Sequence, residues 1–221
     1  MLLKLNLARN SLRYIIKTYG IKELHIPYYI CPVMRQAVLK ENCRPIFYHI
    51  DDNFLPTKDF EPDSYILYPN YFGICDKNVE ILSKKYSKLI VDNAHSFFSK
   101  PKGFACFNSA RKFLPVYNGS YLWIDKTTYI PPVTESPILY DKKYENKFES
   151  FEIFSICDEL SSYIAQFEQI NNNRFLELHK EYGSRNKLKI DINSKSPFCY
   201  PYLAESCQEA DKLAKDRSEE H

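Results

Sequence analysis

LIVDNAHSFFSKPKGFACFNSARKFLPVYNGSYLWI, residues 89–124, is the stretch from which the architecture can be read. One apolar run ends in Asp92 and a second at Asn108 and Ser109; Arg111 and Lys112 follow, and the Asn118-Gly119 turn leads into a third. Short apolar runs bounded by turn residues predict three strands. In an open sheet the residues that follow such strands collect along one rim, so Asp92, His95 and Lys112 are expected at the same end. Each also has a plainer reading, Asp92 as a strand-end turn residue and Arg111-Lys112 as a solvated basic pair.

Upstream of this stretch, strand and helix alternate. Residues 3–7 read as a strand, after which Leu12, Ile15 and Ile16 recur at helical spacing up to Gly20. Asn10 or Ser11 is the expected N-cap of that helix and Gly20 its stop. The helix start, the Ser11 hydroxyl and nearby Arg9 could together hold an anion, although ordinary capping accounts for the same residues without a ligand. A second strand is expected over residues 22–27, then a helix over 33–41 with Pro32 at its first position, then a strand over 44–50. Residues 51–63 form a polar connection to a buried strand over 64–69, and a helix over 76–88 runs into Leu89.

Strand-helix-strand repetition builds a parallel sheet, so the expected fold class is α/β, a mainly parallel sheet flanked by helices over residues 1–137. The Pro- and Thr-rich span 125–137 is read as the exit from this domain. Beyond it, residues 145–170 and 173–182 have helical periodicity with a break at Asn171-Asn172-Asn173. Residues 187–192 and 198–202 read as short strands and 209–217 as a last helix, making 138–221 a small α+β C-terminal domain.

The chain has 221 residues, enough to bury a sizeable core, and its 44% hydrophobic and 26% charged content describes a folded protein. A formal charge of +2, with the basic residues spread out, argues against a nucleic-acid surface. With only five glycines, neither G-x-G-x-x-G nor G-x-x-x-x-G-K-[ST] can be written, so any phosphate must be held without a glycine-rich cradle. The seven cysteines are odd in number and never spaced C-x-x-C, which argues against zinc. No signal peptide is apparent, so they read as reduced thiols of a cytoplasmic protein, mostly core fillers. No apolar stretch approaches the length of a membrane span.

A carboxylate and a lysine at one rim suit a pyridine-ring cofactor: the carboxylate keeps the ring nitrogen protonated, and the amine forms an imine with the aldehyde. Four segments, LNLARNSLRYIIKTYGIKELHIPYYICP, YPNYFG, KYSKLIVDNAHS and FNSARKFLPVYNGSYLWI, in this order and separation, resemble the DegT/DnrJ/EryC1/StrS family of pyridoxal-phosphate-dependent sugar aminotransferases. The resemblance covers residues 3–124, and NRFLELHKEYG with SPFCYPYLAES looks like a weaker echo of the family's small domain. It implies the large domain of the fold type I aminotransferases and pyridoxal 5′-phosphate as cofactor. An amino donor and a keto sugar, nucleotide-linked and destined for surface polysaccharide, are the implied substrates, and a homodimer with shared sites the implied assembly.

Position by position, the resemblance assigns Lys112 to the imine-forming lysine and Asp92 to the acid beside the ring nitrogen. His95 falls where many relatives place a glutamine against the ring hydroxyl, and an imidazole N–H can serve the same purpose. Asn10 and Ser11 match the phosphate-binding region, with Ser109 as a further phosphate ligand. Cys31 stands near the position of the family's stacking aromatic, so Tyr29 or Tyr71 is expected to cover the ring, and Asn118-Gly119-Ser120 replaces a turn usually richer in glycine. The chain looks shortened at both ends relative to the family, leaving the small domain incomplete. That keeps open a non-catalytic relative acting as a cofactor-binding or subunit-interaction module. An unrelated α/β domain is favoured if Asp92 and Lys112 lie at opposite ends of the sheet.

Overall fold

The computed structural model describes residues 1–116, 118–130, 133–134, 150–151, 161–194 and 197–218. Strands β1 (Leu2–Leu5), β2 (Glu23–Pro27), β3 (Arg44–Tyr48), β4 (Ile66–Pro69), β5 (Leu89–Asn93), β6 (Ala105–Asn108) and β7 (Ser120–Trp123) form one sheet. Their order is β1-β7-β6-β5-β4-β2-β3. From β3 to β6 all neighbours are parallel, whereas β7 runs antiparallel to both β6 and β1. Parallel neighbours need a long crossover, and α2 (Pro32–Lys40) and α3 (Asp76–Lys85) are crossover helices; the short link from β6 to β7 can only reverse the chain. The mainly parallel α/β sheet is the one that the sequence predicts.

Both faces of this sheet are covered, which explains the uninterrupted apolar runs. Successive strand side chains point to opposite faces. On one face Leu67, Ile90 and Phe107 pack with Leu12 and Ile15 of α1 (Ala8–Tyr19) and with Met34 and Val38 of α2. On the other, Tyr68, Leu89 and Val91 pack with Val79 and Leu82 of α3. Ile90 and Val91 are fully buried, each contributing about 1.5–3 kcal/mol. The same alternation gives Asp92 the face of Ile90, toward the start of α1 and α2.

Helix α1 ends where the sequence says it should. Gly20 takes the left-handed conformation (φ +62°), its N–H meets the Lys17 carbonyl, and the Ile21 N–H reaches back to Ile16, closing a Schellman-type cap. Its start differs from expectation. The cap residue is Leu7, in extended conformation, and the Leu7 carbonyl already accepts the N–H groups of Asn10 (2.9 Å) and Ser11 (3.0 Å). Asn10 and Ser11 are therefore helical residues and not caps. Their side chains are buried, Asn10 donating to Asn6 Oδ1 at 2.9 Å and Ser11 Oγ lying 2.8 Å from Ser120 Oγ.

The C-terminal portion departs further from the sequence reading. Ser150–Phe151 is a short strand, β9, parallel to β8 (Val133–Thr134), inside the span expected to be helical; the rest of 145–160 lies outside the described residues. Helix α4 (Ser161–Tyr182) runs through Asn171-Asn172-Asn173 without a break. Asparagine costs a helix only about 0.7 kcal/mol or less per residue, and apolar residues on either side of the run, Phe167 and Phe175, are anchored in packed clusters. Phe175 joins the α3-side core together with Leu188, Ile190 and Tyr200. Residues 187–192 and 198–202 are not strands. Pro197 and Pro201 have no N–H to give a ladder, and the Asn186 side chain bridges the two segments instead, donating to Pro201 O and accepting from Leu203 N–H. The last helix, α5, spans Cys207–Ser218. Among the described cysteines, Cys43, Cys75 and Cys106 are buried core residues, but Cys31, Cys199 and Cys207 are exposed, so core filling describes only half of them.

Candidate active site

Three parallel strands, β4, β5 and β6, end side by side, and the residues after them are held by short polar contacts. Asn70, after β4, donates to Asp76 Oδ1 (2.8 Å) and Asn93 Oδ1 (3.2 Å) and accepts the Cys75 N–H (2.9 Å). Ser99 donates to the same Asp76 carboxylate and pairs with Ser96. The loop carrying His95 is thus tied at both ends to the N-terminus of α3, where a carboxylate is also favoured by the helix dipole. Asp92 shapes its own turn by accepting the Ala94 N–H at 2.9 Å.

After β6, Ser109 is buried and Ala110–Lys112 forms a single 3-10 turn. Ala110 is fully buried and donates its N–H to the Gly119 carbonyl, while Phe113 and Leu114 anchor the far side in an apolar cluster with Phe97 and Phe98. Between these anchors Arg111 is exposed and Lys112 half-buried. Gly119 takes a positive φ (+114°), and its N–H reaches the Asn6 carbonyl, which brings the start of the chain against this rim.

These ends surround one cavity of about 350 Å³. Asp92, His95, Ser109, Lys112, Tyr29 and Tyr71 all line it, as do Leu7, Ala8 and Arg9 at the first turn of α1. Asp92 and Lys112 do not lie at opposite ends of the sheet, the arrangement that would favour an unrelated domain. Asn10 and Ser11 are outside the lining, because their side chains are turned to Asn6 and Ser120. The Tyr71 ring stacks with both Phe54 (5.2 Å) and Tyr29 (5.7 Å), and its hydroxyl donates to the Tyr29 carbonyl. The aromatic wall near Cys31 is therefore built by tyrosines.

Burial dominates the electrostatics. It pushes the Asp92 carboxyl up to about 6, against the pull of the Ala94 N–H and the Lys112 charge. It lowers the Lys112 amine below its usual value, with Asp92 opposing. Burial and the Lys112 charge depress His95 to about 4, so its imidazole is neutral near pH 7. The cavity thus holds a carboxylate, a neutral imidazole and a partly desolvated amine, a set suited to moving protons at one substrate atom. Phe198 was missed by sequence reasoning. Its ring stacks on His95 (5.0 Å, 16°) and lies 5.0 Å from Lys112 Nζ. No local signal marks it, since the contact joins residues 86 apart in the chain for Lys112 and 103 apart for His95.

The sheet, mainly parallel and flanked by helices, has the fold of the PLP-dependent aminotransferases, and Asp92 and Lys112 follow one another at the rim of its adjacent strands. The solved structures agree. Over 99% of this chain and 70% of that one, it superposes on Spr1654 of Streptococcus pneumoniae, described as a sugar aminotransferase in its PLP form, with a TM-score of 0.70 at 12% identity. DesV of S. venezuelae gives 0.69 at 13% identity, covering 98% of this chain and 67% of that one. A DegT DnrJ EryC1 StrS aminotransferase from Brucella abortus gives 0.64 at 12% identity, covering 98% and 69%. At these identities the likeness establishes the fold. No family model and no curated protein sequence matches the chain.

Proposed function

We propose that this chain is a pyridoxal-phosphate-dependent aminotransferase that moves an amino group onto a keto sugar, nucleotide-linked and used in surface polysaccharide synthesis. The observation that carries this reading is that Asp92 and Lys112, from the ends of adjacent parallel strands, line one cavity of about 350 Å³. That size is within the range of small-molecule sites, roughly 300–1,000 Å³. Pyridoxal 5′-phosphate, when bound, supplies an aldehyde and an electron-accepting ring.

The chain's own residues do the rest. Asp92, ionised above about pH 6, would hold the ring nitrogen and keep its proton there. Lys112 offers an amine whose depressed basicity lets it be neutral part of the time, so it can act as nucleophile and as proton carrier at the substrate carbon. Neutral His95 has an N–H for the ring hydroxyl. The first turn of α1 together with Ser109 suits the phosphate, with helix-dipole support; this replaces the side chains of Asn10 and Ser11. Tyr29 and Tyr71, which stack on each other at the cavity, would wall the ring. In this reading residues 138–221 act as the small domain, and the protein works as a cytoplasmic homodimer. Among the described residues no helix is long and apolar enough to cross a membrane.

The test is turnover. Purified protein given the cofactor, glutamate or another amino donor and a panel of keto sugars should release the donor's keto acid, and Lys112→Ala should not. Cofactor binding without turnover on any acceptor would favour the binding-module reading, and no binding at all would overturn the proposal.

A further inference from the structure

Phe198 does not line the cavity, yet it touches two side chains that do. Its ring stacks nearly parallel to the His95 imidazole (16°, centroids 5.0 Å apart), and Lys112 Nζ sits 5.0 Å from its centroid. Phe113 meets the same ring edge-on at 5.8 Å. The backbone leaves it little freedom: its N–H reaches both the Phe72 carbonyl (3.0 Å) and the His95 carbonyl (3.3 Å). Gly73 makes this approach possible. It has φ +83°, and a Cβ there would strike the His95 carbonyl and lie 2.9 Å from Pro197 Cα and 3.2 Å from Phe198 N. These contacts together seat one ring behind the cavity. Among the described residues the Lys112 amine has no ion pair or side-chain hydrogen bond, and the Phe198 ring face lies 5.0 Å from it.

We propose that Phe198 is a positioning residue of this site, its π face holding the Lys112 ammonium beside Asp92 while its plane fixes His95, so that the C-terminal segment completes the active site. This rests on the reading of Lys112 as the reactive amine. A cation over an aromatic face is favoured electrostatically, most strongly where water is excluded. Asp92 from β5, Cys31 before α2, Cys199 beside Phe198, His95, and Arg111 next to Lys112 also act on the amine or share its charge, and all stay constant in the test.

The experiment is a pH titration of the Lys112 amine in the full, cofactor-free chain, followed by NMR of ¹³C-labelled lysine, its signal assigned by its loss in Lys112→Arg. Phe198→Leu keeps an apolar cover but removes the ring; replacing Phe198 by pentafluorophenylalanine keeps the shape and reverses the ring's electrostatics. Both should lower the titration midpoint by about half to one and a half pH units, while Phe198→Tyr should leave it in place. An unchanged midpoint means that Phe198 only packs, and a rise means that it only excludes water; either overturns the proposal. If Phe198→Leu fails to fold, the fluorinated ring carries the test alone. Because no cofactor is used, failure here is distinct from failure of Lys112 to bind pyridoxal phosphate.

Discussion

Asp92→Asn should stabilise the cofactor-free chain while abolishing its chemistry. Asp92 is buried, 8% exposed as a residue, and burial raises its carboxyl from 3.8 to about 6. That is about two pH units at about 1.4 kcal/mol each, so ionised Asp92 costs folding about 3 kcal/mol. The folded value lies above the unfolded one, so the native state keeps its proton longer. The penalty is absent below pH 3.8, grows as pH rises from there to about 6, and is complete above it. Asparagine has the same shape, cannot ionise, and still offers Oδ1 to the Ala94 N–H. Urea unfolding should show Asp92→Asn more stable by about 2–3 kcal/mol at about pH 7.5, with little difference near about pH 4. Equal effects at both pH values, or a destabilised variant at the higher one, would refute the assignment of Asp92 as a buried carboxylate held for function.

His95 is displaced the other way, titrating at about 4 where an unperturbed histidine titrates at 6.5. Its folded form binds fewer protons in that window, so it contributes a loss of stability as pH falls from 6.5 to about 4; His95→Gln should remove that part of the slope in acid-unfolding curves. Gly73→Ala should destabilise by about 1–3 kcal/mol or more, seen as a lower melting temperature, because a side chain there meets the His95 carbonyl at positive φ. Ser11→Ala should cost about 1 kcal/mol through its bond to Ser120 but leave cofactor affinity within about twofold, measured by titration, since Ser11 is outside the cavity.

What could be read from the residues was what local chemistry dictates. Residues 66–68 and 89–91 are apolar throughout because each strand is buried on both faces, and that pattern survives any change of neighbours. Gly20 and Pro32 mark a helix end and a helix start because only their backbones suit those places. The rim placement of Asp92 and Lys112 followed from the strand ends. The helix start at Ala8 was not legible, because Asn10 and Ser11 have capping side chains yet find better partners in Asn6 and Ser120, the latter 109 residues away. Asn171-Asn172-Asn173 looked like a break because the anchorage of the helix beyond it is only visible once Phe175 has a core to enter. Residues 198–202 looked like a strand by composition, but prolines and the Asn186 side chain decide their pairing. Phe198 acquires a role only through contacts across the fold.

The most direct test of the account is chemical trapping. Protein incubated with pyridoxal 5′-phosphate, reduced with borohydride and digested should carry the phosphopyridoxyl group on the peptide containing Lys112, with a visible absorbance band lost in Lys112→Ala. Label spread over exposed lysines with Lys112 unmodified would contradict the assignment of this cavity as a cofactor site.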